Sequence, residues 1–151
     1  MRKSLPFILL ALSLAVVLPT MGQPNFSGTW KLDKSKSTSG HLPAHPSMIW
    51  EISHEGSQIK IRFKISRDQG EVEHDAVFTT DGKDCSNEVA GSPLTSTLKW
   101  DGDTLIIDSK HKHFSSYEKL SLSTDAKTLT LTRITRAQGR ENEENLVFAK
   151  Q

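Results

Sequence analysis

The stretch from Ile59 to Phe78 prescribes its own pairing. Around a turn at Arg67-Asp68-Gln69-Gly70, matching Ser66 with Glu71 places Lys64 opposite Glu73 and Arg62 opposite Asp75. The same register sets Ile65 against Val72, Phe63 against His74, Ile61 against Ala76 and Ile59 against Phe78. Opposite charges share one face and apolar groups the other, the pattern of an antiparallel sheet with one side in water and one in a core. A one-residue slip would exchange the two faces, so two independent patterns select the same register.

Neighbouring segments extend this inside face. Turn signals recur about every eight to twelve residues and no stretch has a helical period, which points to an all-β sandwich or barrel. A turn at Glu55-Gly56 would set Ile52 against Ile59, Trp50 against Ile61 and Met48 against Phe63. Asp81-Gly82 is a strong two-residue hairpin signal that would put Phe78 opposite Cys85 and Ala76 opposite Asn87. Gly91-Ser92 would pair Val89 with Leu94 and Cys85 with Leu98. Asp101-Gly102 would pair Leu98 with Leu105 and Ser96 with Ile107, and a turn near Lys110-His111 lets Ile107 meet Phe114. Thr124 to Lys127 brings Leu122 against Leu129 and Leu120 against Leu131. The expected fold is an up-and-down antiparallel β-barrel of about ten strands, closed because closure removes exposed edges. Its last strand, near Glu143–Lys150, would lie beside its first, Ser27–Asp33.

A segment of another kind precedes these strands. Arg2 and Lys3 give a basic start, Leu5 to Leu18 is apolar apart from Pro6 and Ser13, and Pro19-Thr20-Met21-Gly22 supplies a turn and small residues. That is the layout of a secretory signal peptide, too short to span a bilayer. Residues 1–22 are expected to be removed, leaving 23–151 as one barrel domain in a secreted or periplasmic space. No cysteine near the cut offers a lipid anchor, and the single Cys85 cannot form an internal disulfide. The 19 basic and 18 acidic residues nearly cancel, so no net field draws nucleic acid or an anionic membrane. A monomer without cofactor, nucleic-acid partner or membrane insertion after cleavage is expected.

The run Phe26-Ser27-Gly28-Thr29-Trp30-Lys31-Leu32 resembles the opening strand of the calycins, which comprise the lipocalins and the fatty-acid-binding proteins. Lys99-Trp100-Asp101-Gly102-Asp103-Thr104-Leu105 is similar to a turn common in the fatty-acid-binding branch. The resemblance implies that Gly28 and Trp30 close one barrel end, and that the barrel encloses a cavity for a small apolar or amphipathic ligand. Where the fatty-acid-binding proteins carry Arg-x-Tyr near the end, this chain has Leu146-Val147-Phe148. Where they carry a helical lid, it has the proline-containing loop 34–46.

Inward parity selects the polar candidates His74, Asn87, Ser96, Ser109, Ser116, Glu118 and Arg133. Glu118 falls opposite Arg133 on a face otherwise made of leucines. An inward ion pair is costly to desolvate unless satisfied, so it either anchors a polar ligand head, with Arg133 donating to a carboxylate, or caps the barrel end, with Arg133 near Trp30. His74 reads as a satisfied interior histidine more readily than as a metal ligand, since one imidazole supplies too few donors. His111-x-His113 has a metal-site spacing, but its expected position is an outward-facing turn beside Lys110 and Lys112. Cys85 reads as a structural thiol. No catalytic motif is present: there is no Gly-x-Ser-x-Gly, no His-Glu-x-x-His and no phosphate loop.

The leading expectation is therefore a non-enzymatic, exported binding protein. Its lumen site would comprise Trp50, Phe63, His74, Asn87, Ser96, Phe114, Glu118 and Arg133. The alternatives are a protein-interaction or inhibitor module of the cell envelope acting through loop 34–46, and a calycin-scaffold enzyme using His74 and Glu118.

Overall fold

The computed structural model describes residues 22–151, so the leader reading lies, but for Gly22, outside the described residues. Ten strands follow one another: β1 (Gly28–Leu32), β2 (Ser47–Glu55), β3 (Gln58–Arg67), β4 (Gly70–Thr79), β5 (Asp84–Val89), β6 (Ser92–Asp101), β7 (Thr104–His111), β8 (Ser115–Leu122), β9 (Thr128–Ala137) and β10 (Arg140–Lys150). Every junction is antiparallel, in the order β4-β3-β2-β1-β10-β9-β8-β7-β6-β5. The last strand pairs with the first, Leu32 facing Phe148. The β3–β4 register is Ser66 with Glu71, Phe63 with His74 and Ile59 with Phe78, as read from the sequence. So is that of β8–β9, with Leu122 facing Leu129 and Glu118 facing Arg133.

Four other hairpins differ from expectation by an even number of residues. Glu55 pairs with Gln58, so Trp50 faces Phe63 and Ile52 faces Ile61. Leu98 faces Ile107 rather than Leu105, and Asn87 faces Leu94. The cause is the left-handed backbone of the turns. Gly56 and Gly102 occupy the first central position, with φ of 58° and 59°, instead of the second. At Ala90-Gly91 both central residues are left-handed, and Ala90 carries φ 48°. The β7–β8 turn lies later than expected, at Lys112-His113, where the His111 amide donates to the Phe114 carbonyl. Ile107 accordingly meets Glu118 and not Phe114. Shifts of two or four leave every side chain on its original face.

The Asp81-Gly82 hairpin does not form. Asp81 accepts from the Lys83 amide at 3.0 Å and from the Thr79 hydroxyl at 3.0 Å, a local side-chain turn that competes with a ladder. The Gly82 amide bonds Leu98 on β6 instead. Strands β4 and β5 therefore part, and the barrel keeps a seam there. Side chains bridge it: Asn87 Oδ1 accepts from the Val77 amide at 2.9 Å and Asn87 Nδ2 donates to the Val77 carbonyl at 3.0 Å. Cys85 Sγ accepts from the Thr79 amide. Asn87, expected to line the lumen, thus does the work of a missing backbone pair.

The odd-to-even connections gather at one end of the barrel and the even-to-odd ones at the other. The interior is packed by Trp30, Trp50, Ile59, Leu98, Leu105, Leu120, Leu129, Leu131, Leu146 and Phe148, all nearly excluded from water. Removing the Asn87 amide should open the seam locally. In Asn87→Ala, amide hydrogen exchange at Val77 is expected to accelerate by at least about tenfold, while Phe63 and Ala76 amides in the β3–β4 ladder keep their protection.

Candidate functional site

Cross-strand registers stack the inner wall into tiers. The lower tier is apolar, running Trp100, Leu105, Leu120, Leu131 and Leu146 through β6 to β10. The next is Leu98, Ile107, Glu118, Arg133 and Glu144, so a guanidinium sits directly between two carboxylates on adjacent strands. The third is Cys85, Ser96, Ser109, Ser116, Thr135 and Asn142, rich in hydroxyls. The wall therefore grades from leucine to charge to hydroxyl toward the end that carries loop 34–46.

The charged tier is tightly connected. Arg133 Nε donates to Glu118 Oε1 at 3.1 Å and Arg133 Nη1 lies 3.5 Å from Glu144 Oε2. Ser116 Oγ donates to Glu118 at 3.0 Å, and His45 Nε2 lies 2.7 Å from Glu144 Oε1. Burial disfavours the Arg133 charge, but Glu118 and then Glu144 more than offset it and hold its pKa above that of a free guanidinium. Above this tier, Ser96 Oγ and Ser109 Oγ share a bond of 2.7 Å.

Loop 34–46 is tied to the same region. Thr38 bridges Asn145, the His41 amide donates to Asn142 Oδ1, and Asn142 Nδ2 donates to the Ser39 carbonyl. Gly40, with φ 63°, lies so close to Asn142 and the Glu143 carbonyl that any Cβ would collide with them. The loop takes up the place that β1 would occupy had it continued beside β10.

On the opposite wall the registers align Trp30, Trp50, Phe63 and His74 across β1 to β4. Trp50 meets Phe63 edge-on at 5.3 Å and Phe148 at 4.3 Å. His74 stacks on Phe63 at 4.5 Å but lies exposed at the β4 edge of the seam. The Trp50 Nε1 proton is buried without a partner among the described residues.

Trp30 is fully buried and donates to the Phe26 carbonyl at 2.9 Å. Lys150, not Arg133, lies over its ring, and a Cβ on Gly28 would press on the Lys150 stem. At the same end Phe26 stacks on both Trp100 and His54. Phe114 sits in the β7–β8 turn against His111 at 4.7 Å. His111 lies on the inward parity, opposite Leu94, rather than outward. Among the described residues no three His, Cys, Asp or Glu side chains are placed to share a metal ion. No hydrogen bond joins His74 to Glu118, which is taken up by Arg133 and Ser116.

Sequence reasoning missed Glu144 and His54, and set His45 aside because its spacing from His41 falls in a loop with Pro43, without a helix to align the pair. The alternation Asn142, Glu144, Leu146, Phe148 points Glu144 inward, and His54 follows Trp50 and Ile52 on the same parity.

No protein-family model and no curated protein matches this chain. Solved structures do. A fatty acid transporter, REP1-NXSQ, superposes with a TM-score of 0.60 at 16% identity over 83% of this chain and 96% of its own. A secretory abundant heat soluble protein from Ramazzottius varieornatus gives 0.65 at 11% identity over 83% and 94%. The zebrafish ileal bile acid-binding protein, complexed with cholic acid, gives 0.60 at 13% identity over 83% and 98%. The fold is that of the fatty-acid-binding-protein-like calycin barrels.

Two outcomes follow from the site. Arg133→Met leaves two facing carboxylates without a cation, and should cost about 3 kcal/mol in urea melts at neutral pH. At the other end, burial lowers the His54 pKa, and its Nδ1 accepts the Phe26 amide at 3.2 Å only while unprotonated. The folded state thus binds this proton less readily than the unfolded chain, whose histidines titrate near about 6.5. Stability from His54 is complete above that pH and lost as pH falls through it toward the lower folded value. His54→Gln should flatten the urea midpoint between about pH 7 and 5 relative to wild type.

Proposed function

We propose that this protein is an exported, monomeric binding protein that holds a small apolar or amphipathic ligand inside its barrel. The supporting observation is the graded inner wall. Aromatic and leucine side chains accommodate an apolar stem, and the serine and Glu118–Arg133–Glu144 tiers meet a polar head. Small-molecule sites are typically apolar pockets with a few convergent polar groups, and this lumen has that composition. Fold neighbours named for fatty acid transport and bile acid binding support the same reading. The leader-like first 22 residues support export.

An envelope inhibitor using loop 34–46 as a wedge has less support. A wedge must be free to enter a partner, whereas this loop is bonded to Asn142, Asn145 and, through His45, to Glu144. Enzymatic use of His74 with Glu118 lacks a shared hydrogen bond.

Native mass spectrometry of the purified protein is expected to reveal a retained small molecule or one-to-one uptake of Nile red, an uncharged apolar dye. Phe63 is half-buried beside the seam, so Phe63→Asp should leave the fold intact while weakening Nile red by at least about tenfold. Absence of uptake by wild type would overturn the proposal.

A further inference from the structure

We propose that the chamber selects amphiphiles whose head donates hydrogen bonds and carries no negative charge, and that it rejects carboxylate heads. The inference rests on the lumen-binding reading and specifies its ligand class. Arg133 is the cation of the polar tiers, and it is already shared between Glu118 and Glu144. With His45, whose Nε2 lies 2.7 Å from Glu144 Oε1, in its uncharged form, this cluster carries one excess negative charge. The Glu144 side chain is only 4% exposed, so water screens this charge poorly. An incoming carboxylate would have to displace a glutamate from the guanidinium or add a like charge beside it. Either step costs more than the new hydrogen bonds return.

The unfilled valences point the other way. Glu118 Oε1 accepts from both Ser116 and Arg133, whereas Glu118 Oε2 accepts from no donor among the described residues. It is an open acceptor in the wall, suited to a hydroxyl or ammonium head. Ser116 donates to the other oxygen of that carboxylate, and Ser96 and Ser109, buried on the adjoining strands, bond each other. On the facing wall Trp50 is 5% exposed and its buried Nε1 proton lacks an acceptor among the described residues. A buried unpaired donor is costly, and an ether, ester or hydroxyl oxygen on the ligand would satisfy it. The charged tier therefore excludes what an isolated interior arginine would attract.

Displacement of Nile red by a matched straight-chain alcohol, amine and carboxylic acid tests this directly on the wild-type protein. The alcohol and the amine are expected to bind at least about tenfold more tightly than the acid. An acid that binds as tightly as either, or more tightly, would overturn the inference while leaving lumen binding intact. Nile red that never binds would overturn the lumen reading itself. The double variant Glu118→Gln with Glu144→Gln frees Arg133 and should raise acid affinity about tenfold without raising alcohol affinity. If that variant keeps its β circular dichroism and the acid gains nothing, the electrostatic basis is wrong.

Discussion

Side-chain parity is the constraint on which the interior depends. In a sheet, consecutive residues point to opposite faces, so a slip of one residue reverses the whole strand and a slip of two reverses nothing. Burial of Trp50, Ile52, Ile61 and Ala76 on one side of β2 to β4, with Glu51, Lys60, Arg62 and Asp75 on the other, makes an odd slip prohibitively costly. Even slips are decided by much smaller energies, those of the turns. Gly56, Gly102 and the Ala90-Gly91 pair choose the register through a left-handed backbone that few residues tolerate. The composition of the lumen is thus protected by hydrophobic burial, and only the alignment of its tiers is left to glycine.

Alignment matters because it creates the charge ladder. Glu118, Arg133 and Glu144 come from three strands and face one another only in the observed register. A displacement of two residues between β9 and β10 would set Arg133 against Asn142 and Glu144 against Leu131, or Arg133 against Leu146 and Glu144 against Thr135, and either way the ion pair is lost. The tight Gln138-Gly139 turn, with φ of 51° and 73°, holds that strand pair in place. A local backbone feature at the rim therefore fixes the electrostatics of the inner wall.

The same logic explains what could be read from the sequence. The β3–β4 pairing was legible because Arg62–Asp75 and Lys64–Glu73 agree with Ile61–Ala76 and Phe63–His74; two faces gave one answer. Glu118 opposite Arg133 was legible because charge complementarity and a turn of fixed length coincide. Turn positions off by one residue were not, since Asp-Gly and Gly-Asp are both acceptable turn centres. The seam was hidden for a different reason. Asp81 can cap its own turn or start a hairpin, and the outcome depends on a bond from Gly82 to Leu98 that no local pattern encodes. His45 reaches Glu144 from an irregular loop with no periodicity to aim it.

The seam leaves β4 with a free border along much of its length, and Val72 and Val77 stand exposed there. Such borders invite a second molecule to add its own strand and begin a fibril. Glu71, Glu73 and Asp75 alternate along this border on the solvent side, so two copies approaching border to border would bring rows of like charge together. The opening is therefore guarded against self-assembly by the acidic half of the ion pairs that mark the outer face of the first hairpin.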